Sequence, residues 1–160
     1  MSNFNKVEEF HKRFEHKVNK LPQLKLFTED PKLVDLRLKL IEEEFTELKD
    51  AVKTNNFVEV ADALTDLLYV IYGAGHSFGV DLDKSFDLVH QSNMSKLANS
   101  EKEAKETCEW YKERNNNFSP DYRKTKDNKK WVVFDTKTGK TLKSKYYNQV
   151  DLSYLLTMKR

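Results

Sequence analysis

The sequence predicts an all-α protein, a helical bundle of four to five helices followed by a short C-terminal hairpin or arm. Glycine and proline are scarce, at four and three residues among 160, which disfavours a turn-rich β fold. Apolar residues in the N-terminal part recur at the three-to-four-residue spacing of amphipathic helices. A chain of this length can bury a hydrophobic core.

The apolar spacing divides the chain into successive helices. Thr28 or Asp30 is placed to cap the second helix, and Pro31 suits its first turn. The third helix is apolar on nearly all sides, so we expect it to lie centrally or at a subunit interface. Asp81 is placed to cap the fourth helix, and the fifth is charged and expected to be exposed. The predicted helices cover residues 3–20, 31–52, 56–77, 82 onward and 100–115.

The C-terminal part has a different composition. Residues 115–130 are rich in Asn and charged side chains and are predicted to form a flexible surface loop. Residues 131–134 are strand-like, and a turn at 136–139 is expected to lead to a hairpin partner at 140–143. We therefore predict a helical core, a charged helix-and-loop insertion, and a basic arm packing on the core, at residues 1–99, 100–130 and 131–160.

Charge is distributed unevenly along the chain. Residues 120–160 carry eleven Lys or Arg against four Asp or Glu, and the remainder is acidic. Such a basic tail can contact nucleic acid or an anionic substrate. One cysteine, Cys108, and the lack of a signal-peptide pattern or a membrane-length apolar run predict a cytoplasmic protein without a membrane partner.

Carboxylates are concentrated on both sides of the short turn between the second and third helices. Only residues 53–56 separate these helices, so they should pack antiparallel. Both helices rise by the same distance per residue. The numbers of two residues that face each other across the hairpin therefore add up to about 109. The expected pairs are Asp50 with Glu59, Glu47 with Asp62, and Glu43 with Asp66, and Glu44 lies beside Glu47.

Carboxylates that meet across a hairpin must repel one another, take up protons or share cations. Asp62 and Asp66 interrupt the apolar surface of the third helix, where an unpaired charge costs on the order of several kcal/mol. Oxygen ligands suit Mg²⁺, which keeps waters and bridges to substrate phosphates. The sequence therefore predicts a cation site, whereas Glu42 is expected to remain a solvated surface residue.

Two other functions fit parts of the sequence. A di-iron bundle uses Glu-x-x-His pairs, and the chain contains Glu8 with His11 and Asp87 with His90. One pair has Asp in place of Glu. We interpret His11 and His90 as packing or hydrogen-bonding residues, and His16 and His76 as incidental. A non-enzymatic helical module that binds a partner or nucleic acid would explain the basic tail but not the clustered carboxylates. We therefore expect an enzyme without a nucleic-acid partner.

The acidic segments resemble a known signature. The chain contains Glu43-Glu44-Phe45-Thr46-Glu47 and then Glu59-Val60-Ala61-Asp62. This order resembles the EExxE…ExxD signature of the MazG-like, phosphoribosyl-ATP pyrophosphohydrolase-like all-α superfamily, which is related to dimeric dUTPases. The segment 61–73 resembles the DALxDLLYVxYG helix of one subgroup. The resemblance covers residues 4–97 and 138–155 and fails across 100–130.

The resemblance implies a Mg²⁺-dependent hydrolase, with Mn²⁺ as the alternative ion, that converts a nucleoside triphosphate to its monophosphate and pyrophosphate, as in nucleotide-pool cleansing. It assigns the metal ligands as Glu44, Glu47, Glu59 and Asp62, with Glu43 and Glu47 as catalytic residues. Candidate substrate-binding residues are Asn93, Lys96, Lys140, Lys143 and Asp66. The alternative for Asp66 is a structural role as a partner of Glu43 or Arg37 in the hairpin. The superfamily also implies a homodimer or homotetramer. The preferred base is not predicted.

Overall fold

Helices dominate the structure. The computed structural model describes residues 1–114 and 117–158, and within these ranges it contains seven helices and one two-stranded sheet. The predicted all-α class with a C-terminal hairpin is confirmed. The helices and strands are α1 (Asn3–Arg13), α2 (Leu26–Glu29), α3 (Pro31–Lys53), α4 (Phe57–Phe78), α5 (Leu82–Met94), α6 (Glu101–Arg114), β1 (Pro120–Lys124), β2 (Trp131–Asp135) and α7 (Tyr154–Thr157).

The chain divides into two compact units. Unit 1 comprises Met1–Ser85 and Leu152–Arg160, and unit 2 comprises Phe86–Asp151. Residues 159–160 of the predicted arm lie outside the described residues. None of the described helices combines the length and apolar character needed to cross a membrane.

The two longest helices, α3 and α4, form an antiparallel hairpin in unit 1. Asp30 caps α3 by accepting a hydrogen bond from a first-turn amide at 3.2 Å. Asn55 has a φ of 53° in the turn, a conformation that Asn tolerates, and Asn56 accepts a hydrogen bond from the Glu59 amide at 3.3 Å. The predicted hairpin is confirmed, since local capping and turn residues set both helix ends.

Helix α1 is shorter than its apolar pattern predicts. It ends at Arg13, and Glu15 has a φ of 59°, a left-handed conformation that breaks the helix. Beyond it, the Asn19 amide donates to the His76 carbonyl at 2.9 Å. The prediction of a helix through residue 20 is wrong, because hydrogen bonds to α4 replace those of a continuing helix.

The predicted loop before α3 contains one helical turn, α2. Leu26 is buried there, and α2 packs on α3. The ring of Phe27 lies 5.8 Å from that of Phe78 at the end of α4. Apolar contacts therefore order this loop.

The end of α4 depends on Gly79. Its φ is 71°, and a Cβ at this position would lie 1.9 Å from the Leu21 carbonyl oxygen, so only glycine fits. Two residues later, Asp81 accepts a hydrogen bond from the Lys84 amide at 3.0 Å. The predicted cap of α5 is confirmed.

Unit 2 has its own hydrophobic core. It joins α6 to the sheet, and residues from the predicted insertion and from the predicted arm both contribute to it. Helix α6 is therefore buried on one side, which corrects its prediction as an exposed helix. The buried apolar residues are Ala98, Ala104, Cys108, Val133 and Leu142, with Tyr111, Phe118, Tyr122 and Trp131 packed against them.

The sheet corrects the predicted strand partner. Strand β2 pairs antiparallel with β1 upstream, whereas the downstream segment forms only the isolated bridge between Phe134 and Thr141. The buried Asp135 carboxylate accepts hydrogen bonds from the Ser119 amide at 2.8 Å and the Thr138 hydroxyl at 2.6 Å. These bonds fold the downstream segment back. The predicted loop over 115–130 is wrong for β1, and residues 115–116 lie outside the described residues.

Candidate functional site

The predicted metal-binding acids all lie on the α3–α4 hairpin of unit 1. Small side chains let the two helices approach closely near the turn, where Ala51 and Ala63 are buried. Helix α3 carries Glu43, Glu44 and Glu47, and helix α4 carries Glu59, Asp62 and Asp66.

Glu44 is the centre of the acidic cluster. Its Oε2 atom is buried and has no hydrogen-bond partner among the described residues. Burial raises the pKa of this carboxyl, and repulsion by Glu47, Asp66, Glu43 and Asp62 raises it further. The cluster therefore favours the protonated form of Glu44, and a bound cation would instead stabilise its ionised form. Four of the other five predicted acids therefore lie close enough to Glu44 to raise its pKa.

The other acids differ in exposure. Glu47, Glu59 and Asp62 are exposed, and Glu43 is half-exposed and forms an ion pair with Lys39 at 3.5 Å. Glu59 lies in the first turn of α4 and is not among the groups that raise the pKa of Glu44. Exposed carboxylates on long side chains can change rotamer at little cost.

The donor set fits a hard divalent cation in its chemistry but not yet in its geometry. The cluster supplies only carboxylate oxygens, which Mg²⁺ prefers, and one of them is buried without a donor. As the side chains stand, no three His, Cys, Asp or Glu residues within the described ranges form a group that could hold a metal ion. Binding would therefore require the exposed acids to turn towards Glu44.

Asp50 is separated from this cluster by its own partner. It was predicted to face Glu59, but its carboxylate accepts a hydrogen bond from Lys53 at 2.9 Å on the same helix. This bond lowers the pKa of Asp50. Asp50 is therefore a surface ion pair at the end of α3.

A buried polar layer, which the sequence patterns do not predict, follows the acids along the hairpin. Arg37 is buried and donates through Nε to the Ser77 hydroxyl at 2.8 Å, and no ion pair joins it to Asp66 in the described part of the chain. A Cβ at Gly73 would lie 3.0 Å from Nε2 of His11 and 3.4 Å from Nη1 of Arg37. Gly73 in a helix interior is the sequence signal that marks this close approach.

Two histidines complete the layer. His11 is 3% exposed, and burial, followed by the nearby charge of Arg37, lowers its pKa to about 4. His76 is 2% exposed, stacks on Phe4 with 3.8 Å between ring centroids, and contacts the Phe4 carbonyl through Nε2 at 2.9 Å. The interpretation of His11 as a packing residue is confirmed. His76 is not incidental, because it joins α1 to α4.

The di-iron alternative loses one of its ligand pairs. The Glu8 carboxylate bonds to Lys12 at 2.7 Å and to Lys20, and these bonds lower its pKa to about 2. His11 contacts the Lys17 carbonyl through Nδ1 at 3.4 Å. Glu8 is therefore engaged by two ammonium groups, and His11 by the backbone.

Four of the predicted substrate-binding residues lie in unit 2, whereas Asp66 lies in unit 1. The ammonium group of Lys96 donates to the Asn93 side chain at 2.6 Å. The Ser144 amide donates to the Lys96 carbonyl at 3.2 Å, which ties the segment bearing Lys143 to this pair. Lys143 lies over the Tyr147 ring at 4.6 Å, and Lys140 is exposed.

An α-helical hairpin that gathers carboxylates around Glu44, with its buried Oε2, defines a helical protein with an acidic cluster. The sequence pattern of the phosphoribosyl-ATP pyrophosphohydrolase family matches residues 7–93, more than half of the chain. The chain belongs to this family, within the MazG-like all-α superfamily. The match includes the whole α3–α4 hairpin, and the family implies a pyrophosphohydrolase that acts on nucleotides.

A relative extends the similarity beyond the family match. An uncharacterized protein of Acanthamoeba polyphaga mimivirus is 32% identical, in an alignment that covers 97% of this chain and 96% of that protein. The similarity therefore includes unit 2 as well as the acidic hairpin.

Proposed function

We propose that this protein hydrolyses a nucleoside triphosphate to the monophosphate and pyrophosphate with Mg²⁺. The family supports the reaction type. The observation that carries the metal dependence is the Glu44 carboxylate, whose buried Oε2 lacks a donor and whose ionised form is disfavoured by four neighbouring acids. A cation is the partner that offsets both effects while leaving the carboxylates charged.

Each acid has a proposed role. Glu44, Glu47, Glu59 and Asp62 would hold the ion, which when bound neutralises charge on the phosphates and favours attack by water. Glu43 is half-exposed on the same helix and would orient the attacking water or assist a further ion. Asp66 is partly buried, acts on Glu44, and would contact substrate or support Glu44.

Basic and amide side chains of unit 2 are the proposed substrate contacts. Asn93 and Lys96 are already joined by a hydrogen bond, so they would contact substrate as a pair. Lys140 and Lys143 are exposed and have no carboxylate partner among the described residues, so their ammonium groups are available to phosphates.

The proposed assembly is a homodimer or homotetramer. Helices α3 and α4 expose large apolar side chains, including Phe57 at 83%, Val58 at 74% and Leu38 at 59%. A second copy of the chain is the partner we propose for these side chains, because large apolar residues exposed along a helical hairpin are suited to an interface. Sedimentation velocity measures the mass directly, and a monomer at all concentrations would contradict this assembly.

A substrate screen tests the proposed reaction. The purified protein is incubated with each common ribo- and deoxyribonucleoside triphosphate and Mg²⁺, and pyrophosphate is separated from orthophosphate. Release of pyrophosphate with the matching monophosphate supports the proposal and names the base. Orthophosphate alone, or no product from any nucleotide, would contradict it.

A pair of variants on α3 tests the site. Glu47→Gln keeps the size of the side chain but removes a proposed ligand charge, so Mg²⁺-dependent turnover should be lost while the circular dichroism spectrum stays helical. Glu42→Gln is the matched control, since Glu42 is exposed on the same helix and outside the cluster. Equal turnover in both variants would refute the assignment of Glu47.

A further inference from the structure

The sheet of unit 2 carries a strongly basic surface that the proposed hydrolysis does not use. We call this surface the basic ribbon. All its members are exposed, and they come from β1 and the loop between β1 and β2. The basic ribbon consists of Arg123, Lys124, Lys126, Lys129 and Lys130.

The charges of the basic ribbon are not neutralised within the chain. None of its five side chains forms an ion pair in the part of the chain that the structure describes. Lys130 donates to the side-chain oxygen of Asn99, which is a neutral acceptor. Like charges this close on a small sheet repel one another, and an anionic partner would relieve that repulsion.

The nearby acids have other partners. Asp127 accepts hydrogen bonds from the Thr125 hydroxyl and the Lys129 amide, which shape the loop. Asp121 accepts from the Tyr122 amide at 2.8 Å, and Asp135 is buried. These carboxylates stay charged but form no ion pair with the ribbon among the described residues, and the five ribbon cations outnumber the two exposed acids, Asp121 and Asp127.

Two cations of the ribbon lie over aromatic rings of β2. The Arg123 guanidinium is 4.6 Å from the Phe134 ring, and the Lys124 ammonium is 5.4 Å from the Trp131 ring. Both rings are partly exposed. Adjacent residues of a strand face opposite sides of a sheet, so the Arg123–Phe134 pair lies on one face and the Lys124–Trp131 pair on the other. Each face therefore offers a cation beside a partly exposed ring, which suits a partner that carries both phosphates and bases.

Against the expectation from the sequence, we propose that the basic ribbon binds single-stranded nucleic acid, with its cations on phosphates and the adjoining rings of β2 beside bases. An anionic membrane fits less well, because no residue of β1, β2 or their loop is a largely exposed apolar side chain that could enter a bilayer. The ribbon belongs to unit 2 and shares no residue with the acids of α3 and α4, so its binding can be tested separately from hydrolysis.

Fluorescence anisotropy with a labelled oligothymidylate of about 16 nucleotides tests the proposal. Wild-type protein should bind, and the logarithm of its affinity should fall linearly with the logarithm of salt concentration. Lys126→Ala with Lys129→Ala should weaken binding about tenfold at low salt and reduce the salt slope by about 1.4, since each phosphate contact to a single strand contributes about 0.7. Both residues lie in an exposed loop, so folding should be unaffected.

A control variant distinguishes the ribbon from general positive charge. Lys25→Ala with Lys32→Ala removes two exposed, unpaired charges from unit 1 and should leave binding and slope unchanged. The single variant Arg123→Ala should also weaken binding, which tests a ribbon residue on the strand instead of in the loop. Equal effects of the two double variants would overturn the proposal, and so would binding to phosphatidylserine vesicles with no binding to the oligonucleotide.

Discussion

Acid should destabilise this protein through one buried histidine, His11. The pKa of His11 falls from 6.5 to about 4 on folding, mainly because burial penalises the imidazolium form and secondarily because Arg37 lies nearby. The folded state therefore holds His11 neutral, whereas the unfolded chain takes up a proton as pH drops below 6.5. The stabilising contribution is fully present above pH 6.5 and is lost as pH falls towards 4.

The size of the effect follows from the pKa difference. Each pKa unit corresponds to about 1.4 kcal/mol, so the full difference for His11 is about 3 kcal/mol. His11 is only 3% exposed, so little solvent screening reduces this value. Against a typical domain stability of roughly 5–15 kcal/mol, this loss would be a large part of the total.

Urea unfolding followed by circular dichroism at several pH values from 7 to 4.5 measures the effect. Other groups titrate in acid, including Glu8, whose contribution is lost only below its ordinary value of 4.5. The difference between wild type and His11→Gln isolates His11, because the glutamine variant lacks the titration. His90→Gln is the control, because His90 is exposed and is not among the groups that act on His11.

The difference in unfolding free energy between wild type and His11→Gln should fall as the pH falls from 7 to 4.5, and it should fall more than the corresponding difference for His90→Gln. A difference for His11→Gln that is constant with pH would show that burial does not hold this imidazole neutral. The buried polar layer would then need another explanation.

Three further predictions concern single residues. Glu44→Gln removes a repelled carboxylate that has one buried oxygen, so it should raise the melting temperature without metal. It should also abolish any rise in melting temperature caused by Mg²⁺, which differential scanning fluorimetry measures. A preserved Mg²⁺ response would contradict the role of Glu44. Gly79→Ala should cost about 2 kcal/mol or more in urea unfolding, since its Cβ would meet the Leu21 carbonyl at 1.9 Å, and wild-type stability would contradict this. Asp135→Asn should lower the melting temperature and loosen unit 2 in hydrogen exchange, because the carboxylate accepts from Thr138 and from backbone amides; unchanged protection would refute this.

The α3–α4 hairpin could be predicted because its determinants are local. Asp30 and Asn56 are capping residues, and the short turn between the helices leaves an antiparallel return as the only close packing. The periodic acids then had to share a face of each helix. The effect of the neighbouring acids on Glu44 follows from that spacing, and the family resemblance places Glu44 among the predicted metal ligands.

The errors occurred where distant residues determine the structure. Strand β1 begins with Pro120 and carries charged residues, so its local sequence does not favour a strand. It is extended because β2 supplies its hydrogen bonds and Tyr122 packs on the core of unit 2. Helix α1 likewise ends early because the segment after it forms hydrogen bonds with α4. No local pattern in α1 predicts these bonds.

The sequence by itself determined the helical class, the hairpin and the identity of the clustered carboxylates, since capping and periodicity act within a few residues. Only the tertiary structure decided that Glu44 has a buried, unpartnered oxygen, that His11 stays neutral beside Arg37, and that α6 and the sheet share a second core. Burial and electrostatic shifts depend on what other segments bring into contact. For that reason they cannot be read from the spacing of one segment.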